Sequence, residues 1–232
     1  MTNTIRPFES GDLDAVLRVL SEAMHAESIG VWRFTKQVLL DPNFRPAGAP
    51  VAVRDGRIVG CCLAIARQTP RENAPSDVDR GYITLLAVSP AHQRHGIATE
   101  LLSHAEDFLL SQGKSVVMLS SYAPGYFIPG VDVNAYAAGL EFLKKQGYVE
   151  VYRPLAMQTS LWDLKTPPWV KERRDTLNAQ GTIIAAYAPE LTLPLLEFAR
   201  KEFPGDWVRV VRETAAKITA GESPGRLIAA LD

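Results

Sequence analysis

The 232-residue sequence predicts a mixed α/β domain followed by a shorter segment of similar pattern. Three observations carry this. Residues 1–162 read in the order strand, two helices, hairpin, strand, glycine loop, helix, strand, helix, strand. Asp55-Gly56 sits between apolar runs, a strong two-residue hairpin signal. An apolar strand ending at Val88 runs through a polar loop and Gly96 into a helix.

The elements follow in order. Thr4 to Phe8 reads as a short strand, and Asp12 is expected to cap the helix carrying Leu13, Val16, Leu17 and Leu20. A second helix runs from about Val31 to Leu40, then Pro42, Pro46, Gly48 and Pro50 punctuate a loop. The hairpin starting at Pro50 continues through Cys61 to Ala66, and 68–79 is a polar loop. Gly81 to Val88 is a strand ended by Ser89-Pro90, because proline has no N–H for a ladder. Leu101, Leu102, Ala105, Phe108 and Leu109 form the apolar face of a helix from Gly96 to Gln112, capped by Gly113. Ser115 to Ser121 is a strand, Asn134 to Lys145 a helix ended by Gly147, and Tyr148 to Leu161 supply the last strands. Trp32, Phe34 and Trp207 are expected to be packing groups, with Trp32 a candidate for an acceptor pocket.

Residues 163–180, with Pro167-Pro168 and a run of charge, read as a linker. From 181 to 232 the pattern of the first third returns: a strand at Thr182–Tyr187, a helix at Leu191–Phe203, a tryptophan-bearing helix from Trp207, and an apolar strand ending at Asp232. This partial second copy has no glycine loop. Its final strand is unfinished, so it is expected to pair with the first domain or with another chain as a homodimer.

Composition sets limits on function. Hydrophobic residues make up 47% of the chain, enough for a packed core. A net charge of −1 argues against a general nucleic-acid partner or a polybasic membrane patch. No apolar run approaches the ~18–20 residues of a membrane span, and the N-terminus lacks a secretory pattern. Adjacent Cys61 and Cys62 point to opposite faces of a strand, which disfavours a mutual disulfide and suits a reducing cytoplasm. No Cys/His spacing suggests a metal.

The loop Gln93-Arg94-His95-Gly96-Ile97-Ala98-Thr99 concentrates the chemistry. A strand-to-helix turn offers unpaired N–H groups and the positive end of a helix dipole, a setting for a pyrophosphate. Gly96 and Ala98 allow close backbone approach, and Arg94 and His95 add donors at the rim. The Gly-x-x-x-x-Gly-Lys and Gly-x-Gly-x-x-Gly phosphate loops are both absent.

Gln-x-x-Gly-x-Ala, preceded by Leu85-Leu86-Ala87-Val88-Ser89-Pro90, resembles the acetyl-CoA signature of the GNAT acetyltransferases. The element order over residues 1–162 is similar to that family's fold. The resemblance implies that pantetheine lies beside Leu86, Ala87 and Val88, paired with their backbone, and that one N–H polarises the thioester carbonyl. It implies N-acetyl transfer from acetyl-CoA to a small-molecule primary amine by direct attack. Its usual last helix carries an asparagine and a tyrosine acid. Tyr136 stands at the asparagine position, included in the cofactor set, and Leu143 at the tyrosine position.

The usual acid is therefore missing. A thiolate leaves without help, another group substitutes, or the domain binds acyl-CoA without catalysis. Tyr126 and Asp132, in the aromatic and glycine-rich loop 120–132, are the candidate catalytic residues, while Asp132 also suits a helix cap. The Pro-Gly-Val-Asp loop and the partial copy resemble tandem GNAT proteins, some of which acetylate amino sugars. A non-catalytic acyl-CoA sensor is the rival expectation, and a nucleotide-phosphate domain of another type a third.

Overall fold

The computed structural model describes residues 3–72, 77–123, 125–127, 129–155, 157, 159–160, 162–203, 205–222 and 227–231. The chain divides into two compact units, the first Met1–Pro70 with Asp77–Pro154, the second Arg71–Ser76 with Leu155–Asp232.

Unit 1 is built on a five-stranded sheet in the order β1-β2-β3-β4-β5. The strands are β1 (Thr4–Pro7), β2 (Pro50–Arg54), β3 (Arg57–Ile65), β4 (Arg80–Val88) and β5 (Val116–Leu119). The first four pair antiparallel, and β5 joins β4 in parallel. Parallel pairing needs a crossover, supplied by helix α3 (Ile97–Ser111). Asp55 (φ 51°) and Gly56 (φ 74°) are both left-handed, the twist a two-residue hairpin requires between β2 and β3.

Strand alternation divides the core into two layers. Cys61, Leu63 and Ile65 face one layer, under α1 (Leu13–Ala23) and α2 (Val31–Phe34). Cys62, Ala64 and Ala66 face the other, with Ile97, Leu101, Leu102, Ala105 and Leu109 of α3. The two thiols thus lie on opposite sides of β3, unlinked, and burial pushes the Cys61 thiol up to about 12. Both layers are apolar, so this sheet is a central slab.

Several expectations change. Asp12 does not cap α1 with its side chain. Its carboxylate takes two bonds from Arg6, at 2.6 and 2.7 Å, and one from the Glu9 amide at 2.8 Å. A charged partner outcompetes the neutral helix amides. Past Phe34 the expected helix continues as a wider π turn over Thr35–Leu39. Phe34 is buried, but Trp32 is 86% exposed; Trp207 is exposed as well, yet its ring packs edge-on against Phe203 at 6.3 Å. Residues 148–155 form no strand, and neither do the described residues between 157 and 160; Leu161 lies outside the described residues. Helix α4 (Ala137–Lys145) precedes them.

Unit 2 contains α5 (Pro168–Ala179), β6 (Ile183–Ala186), α6 (Thr192–Glu202), α7 (Trp207–Thr219) and β7 (Ile228–Leu231). The expected linker 163–180 therefore holds a helix, entered through Pro168 at its first position and with no buried residue. β7 pairs antiparallel with β6, so the expected unfinished strand has one partner within its own unit. Leu196, Ala199 and Val208 form a small core of their own. Its element order, strand–helix–helix–strand with antiparallel ends, matches that of β1, α1, α2 and β2.

Two outcomes are expected. A β-carbon on Gly48 would lie 2.5 Å from the Ala64 carbonyl oxygen and 2.6 Å from the Phe108 ring. Gly48→Ala should lower the urea-unfolding free energy by about 1–3 kcal/mol, the usual cost of overpacking. Arg6, chiefly through its hydrogen bonds, holds the Asp12 carboxyl below its ordinary value. That contribution is complete above the unfolded carboxylate pKa of about 3.9 and is lost as pH falls through the lower folded value. The stability gap between wild type and Arg6→Met, measured by urea melts, should therefore narrow on acidification.

Candidate functional site

The site begins where β4 and β5 part. Their register runs Arg80↔Val116 to Ile83↔Leu119. The Ser120 amide then donates to the Ile83 carbonyl at 2.8 Å. Ser120 is left-handed (φ 59°), which turns the chain away from β4. Among the described residues no strand pairs with β4 beyond that point on this side.

The other side of β4 is fully engaged. Ser89 N–H donates to Val59 O at 2.9 Å, and the register with β3 includes Cys61↔Ala87 and Leu63↔Leu85. In an antiparallel ladder hydrogen-bonded pairs alternate. Ser89, Ala87 and Leu85 thus spend their amides on β3, while Leu86 and Val88 aim theirs at the open edge. Ala87, expected beside them, presents no free backbone group there. The register slips between Leu63 and Ala64, which makes Thr84 a bulged residue between Leu85 and Ile83.

At the end of β4 the loop is folded on itself. Gln93 Nε2 donates to the Val88 carbonyl at 3.0 Å, and His95 Nδ1 lies 2.7 Å from the Gln93 carbonyl. Arg94 (φ 64°) and Gly96 (φ 79°) are left-handed, and Gly96 is the N-cap residue of α3. A β-carbon at Gly96 would meet only Glu100, 3.9 Å away, so the glycine serves backbone shape and open approach. The first amide to re-enter the ladder is Glu100 N–H, bonded to Gly96 O at 3.1 Å. Among the described residues, the N–H groups of Arg94 through Thr99 have no acceptor. Arg94, His95 and Thr99 are exposed, and Ile97 is buried beneath the turn. Such a row of free donors at a helix start suits an anion.

The candidate catalytic residues are held by other partners. Asp132 Oδ1 accepts the amides of Asn134 and Ala135 at 2.8 and 2.9 Å. These bonds, Ala135's first, hold its carboxyl below the ordinary value. Asp132 is therefore a turn cap, exposed and ionised. The Tyr136 hydroxyl accepts the Ala26 amide at 3.1 Å and its ring meets His25 at 5.4 Å. Tyr126 is 38% exposed, and its carbonyl takes a bond from Gln37. No hydrogen bond among the described residues links Tyr126, Asp132 or Tyr136 to loop 93–98. Leu143 is buried in the position where a phenol was sought.

Sequence patterns did not single out the network behind this loop. The Tyr122 hydroxyl lies 2.7 and 2.9 Å from the Asp41 carboxylate oxygens and accepts from Asn43 at 2.8 Å. Burial, then Asp41, raises its pKa. Arg67 stacks over the Tyr122 ring at 4.5 Å, pairs with buried Asp77 at 2.7 Å, and donates to the Ala123 carbonyl. Glu22 was also unforeseen; it takes the Ser89 hydroxyl at 2.6 Å, the first cause of its lowered pKa. These are contacts between residues far apart in sequence, which no periodicity displays. Tyr122→Phe should cost about 1–3 kcal/mol in urea melts, because it removes the Asp41–Asn43 bridge within the core.

Among the described residues no group of acidic, histidine or cysteine side chains has the arrangement of a metal site, and no helix is long and apolar enough to cross a membrane. Residues 17–125 match the Acetyltransferase (GNAT) family. No curated protein matches the chain. The solved structures similar to it include a GCN5-related glucosamine N-acetyltransferase region of a fungal multi-domain GH3 β-N-acetylglucosaminidase, at 21% identity and TM-score 0.72, over 99% of this chain and 26% of that one. The present chain thus spans about a quarter of that protein's length. An aminoglycoside acetyltransferase, meta-AAC0020 from an uncultured soil metagenomic sample, in complex with sisomicin, matches at 20% identity and TM-score 0.50, over 68% of this chain and 96% of that one. AAC(6')-Iy in complex with a CoA bisubstrate analog matches at 12% identity and TM-score 0.50, over 69% and 99%. At these identities the likeness is one of fold.

Proposed function

We propose that unit 1, in which residues 17–125 match the Acetyltransferase (GNAT) family, transfers an acetyl group from acetyl-CoA to the primary amine of a small molecule, an amino sugar in particular. The observation that carries this reading is the pairing of two unpaired stretches of backbone. Gln93, next to the free amides of Arg94 to Thr99, is bonded to the Val88 carbonyl, which ties that turn to the end of β4 whose Val88 and Leu86 amides face the open edge. One surface offers donors for a diphosphate and then, along an extended arm, the amides and carbonyls a strand would use.

The chemistry follows from that placement. A neutral amine attacks the thioester carbonyl, and its proton passes to water or a base. Preorganised donors facing the edge hold charge developing on the carbonyl oxygen. Asp132 and Tyr126 lie on the acceptor side in this reading. Asp132 attracts the ammonium form of the amine, while its cap bonds keep it ionised. The amino-sugar preference draws on the glucosamine N-acetyltransferase region whose fold covers 99% of this chain. We read unit 2 as a partial second copy of the fold, supported by its element order, and without a loop of the Gln93–Thr99 kind. Two free thiols suit a reducing compartment such as the cytoplasm.

A second reading, acyl-CoA binding without transfer, is favoured by one observation. Leu143 is buried and provides no acid. Calorimetry with acetyl-CoA and a turnover assay with glucosamine separate the two: binding with amine-dependent thiol release supports transfer, and binding with no release across an amine panel supports the sensor.

Gly96→Val tests the loop itself. A β-branched residue is strained at φ 79° and puts its methyls where the anion is expected. Acetyl-CoA affinity should fall by about 100-fold or more, some 2.7 kcal/mol, with the circular-dichroism spectrum retained. An unchanged affinity would rule out this loop as the binding site.

A further inference from the structure

The polar face of α1 reaches the end of the sheet where the anion loop begins. Arg18 donates to the Ile58 carbonyl at the start of β3, at 2.8 Å, and its other terminal nitrogen lies 3.2 Å from one oxygen of Glu22. The second oxygen of Glu22 takes the Ser89 hydroxyl at 2.6 Å. A carboxylate accepting from a hydroxyl makes one of the stronger hydrogen bonds. Ser89 is buried, while the Glu22 side chain stays partly in water.

The alternation of β4 explains this contact. Leu85 and Ala87 face the layer that holds α1, and Ile83 and Val88 face the layer that holds α3. Ser89, next in that alternation, turns its side chain towards α1. Ile97, where α3 begins, is buried in the other layer. The loop between them therefore crosses the end of the sheet from one layer to the other. Ser89 anchors its first end: the amide is bonded to the Val59 carbonyl, the carbonyl accepts the His92 amide at 2.8 Å, and the hydroxyl is held by Glu22. Gln93 ties the middle to the Val88 carbonyl. Beyond it the chain passes through left-handed Arg94, a conformation that costs energy in a residue with a β-carbon. A strained turn of this kind keeps its shape only while its anchors hold.

Resting on the acyl-transfer reading above, we propose that Glu22 is a positioning residue for the cofactor: through Ser89 it sets the loop so that the free amides of 94–99 are arranged for the diphosphate before acetyl-CoA arrives. It acts on the loop and not on the ligand. Its own negative charge, near a site for an anion, is balanced by Arg18. Without the anchor a smaller fraction of molecules holds the loop ready, and the apparent affinity falls by that fraction.

The test uses the full chain, with calorimetry of acetyl-CoA and amide NMR spectra of the free and the saturated protein. Glu22→Ala and Ser89→Ala should each weaken binding roughly 10-fold, the scale of one hydrogen bond to a charged group. The double variant should lose no more than either alone, because both changes cut the same link. Glu22→Gln, whose amide oxygen still accepts the hydroxyl, should recover most of the affinity lost in Glu22→Ala. The amide signals of 94–99 should shift in free Glu22→Ala and return to their wild-type positions at saturation, which a loss of global stability would not produce. Binding by Glu22→Ala and Ser89→Ala as tight as wild type's, or tighter, overturns the proposal and leaves the cofactor reading intact. Additive losses in the double variant do the same. No binding by wild type overturns both. If Glu22→Ala does not fold, Ser89→Ala decides.

Discussion

The parting of β5 from β4 after Ile83 is the constraint on which the site depends. Had the strands stayed paired, Leu86 and Val88 would be ordinary ladder residues, and the glycine loop would be an isolated turn. Instead the sheet keeps a length of β4 whose groups need partners. An unmet backbone amide in a buried setting is costly. An open edge backed by a packed slab is therefore a feature the rest of the domain must sustain. The cores on both faces do so: Leu85 and Ala87 anchor β4 to one layer, Ile83 and Val88 to the other.

The departing chain also has to be held. Ser120 turns it through a left-handed residue, at a cost of about 1–2 kcal/mol for a side-chain-bearing residue. Tyr122 then locks it, gripped by Asp41 and Asn43 from the loop after α2 and covered by Arg67. Asn43 in turn accepts the amides of Gln68 and Thr69 through its side-chain oxygen. Gly125 has room for no β-carbon, with Tyr122 at 2.9 Å and the Gln37 carbonyl at 3.0 Å. A buried ion pair such as Arg67–Asp77 is weak evidence for stability, but it fixes geometry. Here it fixes where the loop leaves the fork.

What the sequence disclosed tracks the range of the interactions. The Asp55-Gly56 turn, the alternation of β3 and the loop around Gly96 are local, and each was legible from a few adjacent residues. Asp12 misled because its cap signature is local while Arg6 reaches it across the chain from β1. Ser120 was hidden because serine gives no hint of a left-handed turn, where glycine would. Tyr148-Val149-Glu150-Val151-Tyr152 is rich in residues that favour strands, yet Val149 and Val151 are exposed and unpaired. Periodicity records what a segment could bury, and whether a partner edge is at hand is decided elsewhere.

The two cysteines of β3 have a practical corollary. Each thiol is sealed under a different helical layer, and its burial disfavours the reactive thiolate. An alkylating reagent can reach Cys61 only when α1 and α2 lift away, and Cys62 only when α3 does. Mass spectrometry of timed alkylation would then resolve which side of the slab breathes first, so the native chain carries its own pair of opening gauges without any engineered probe.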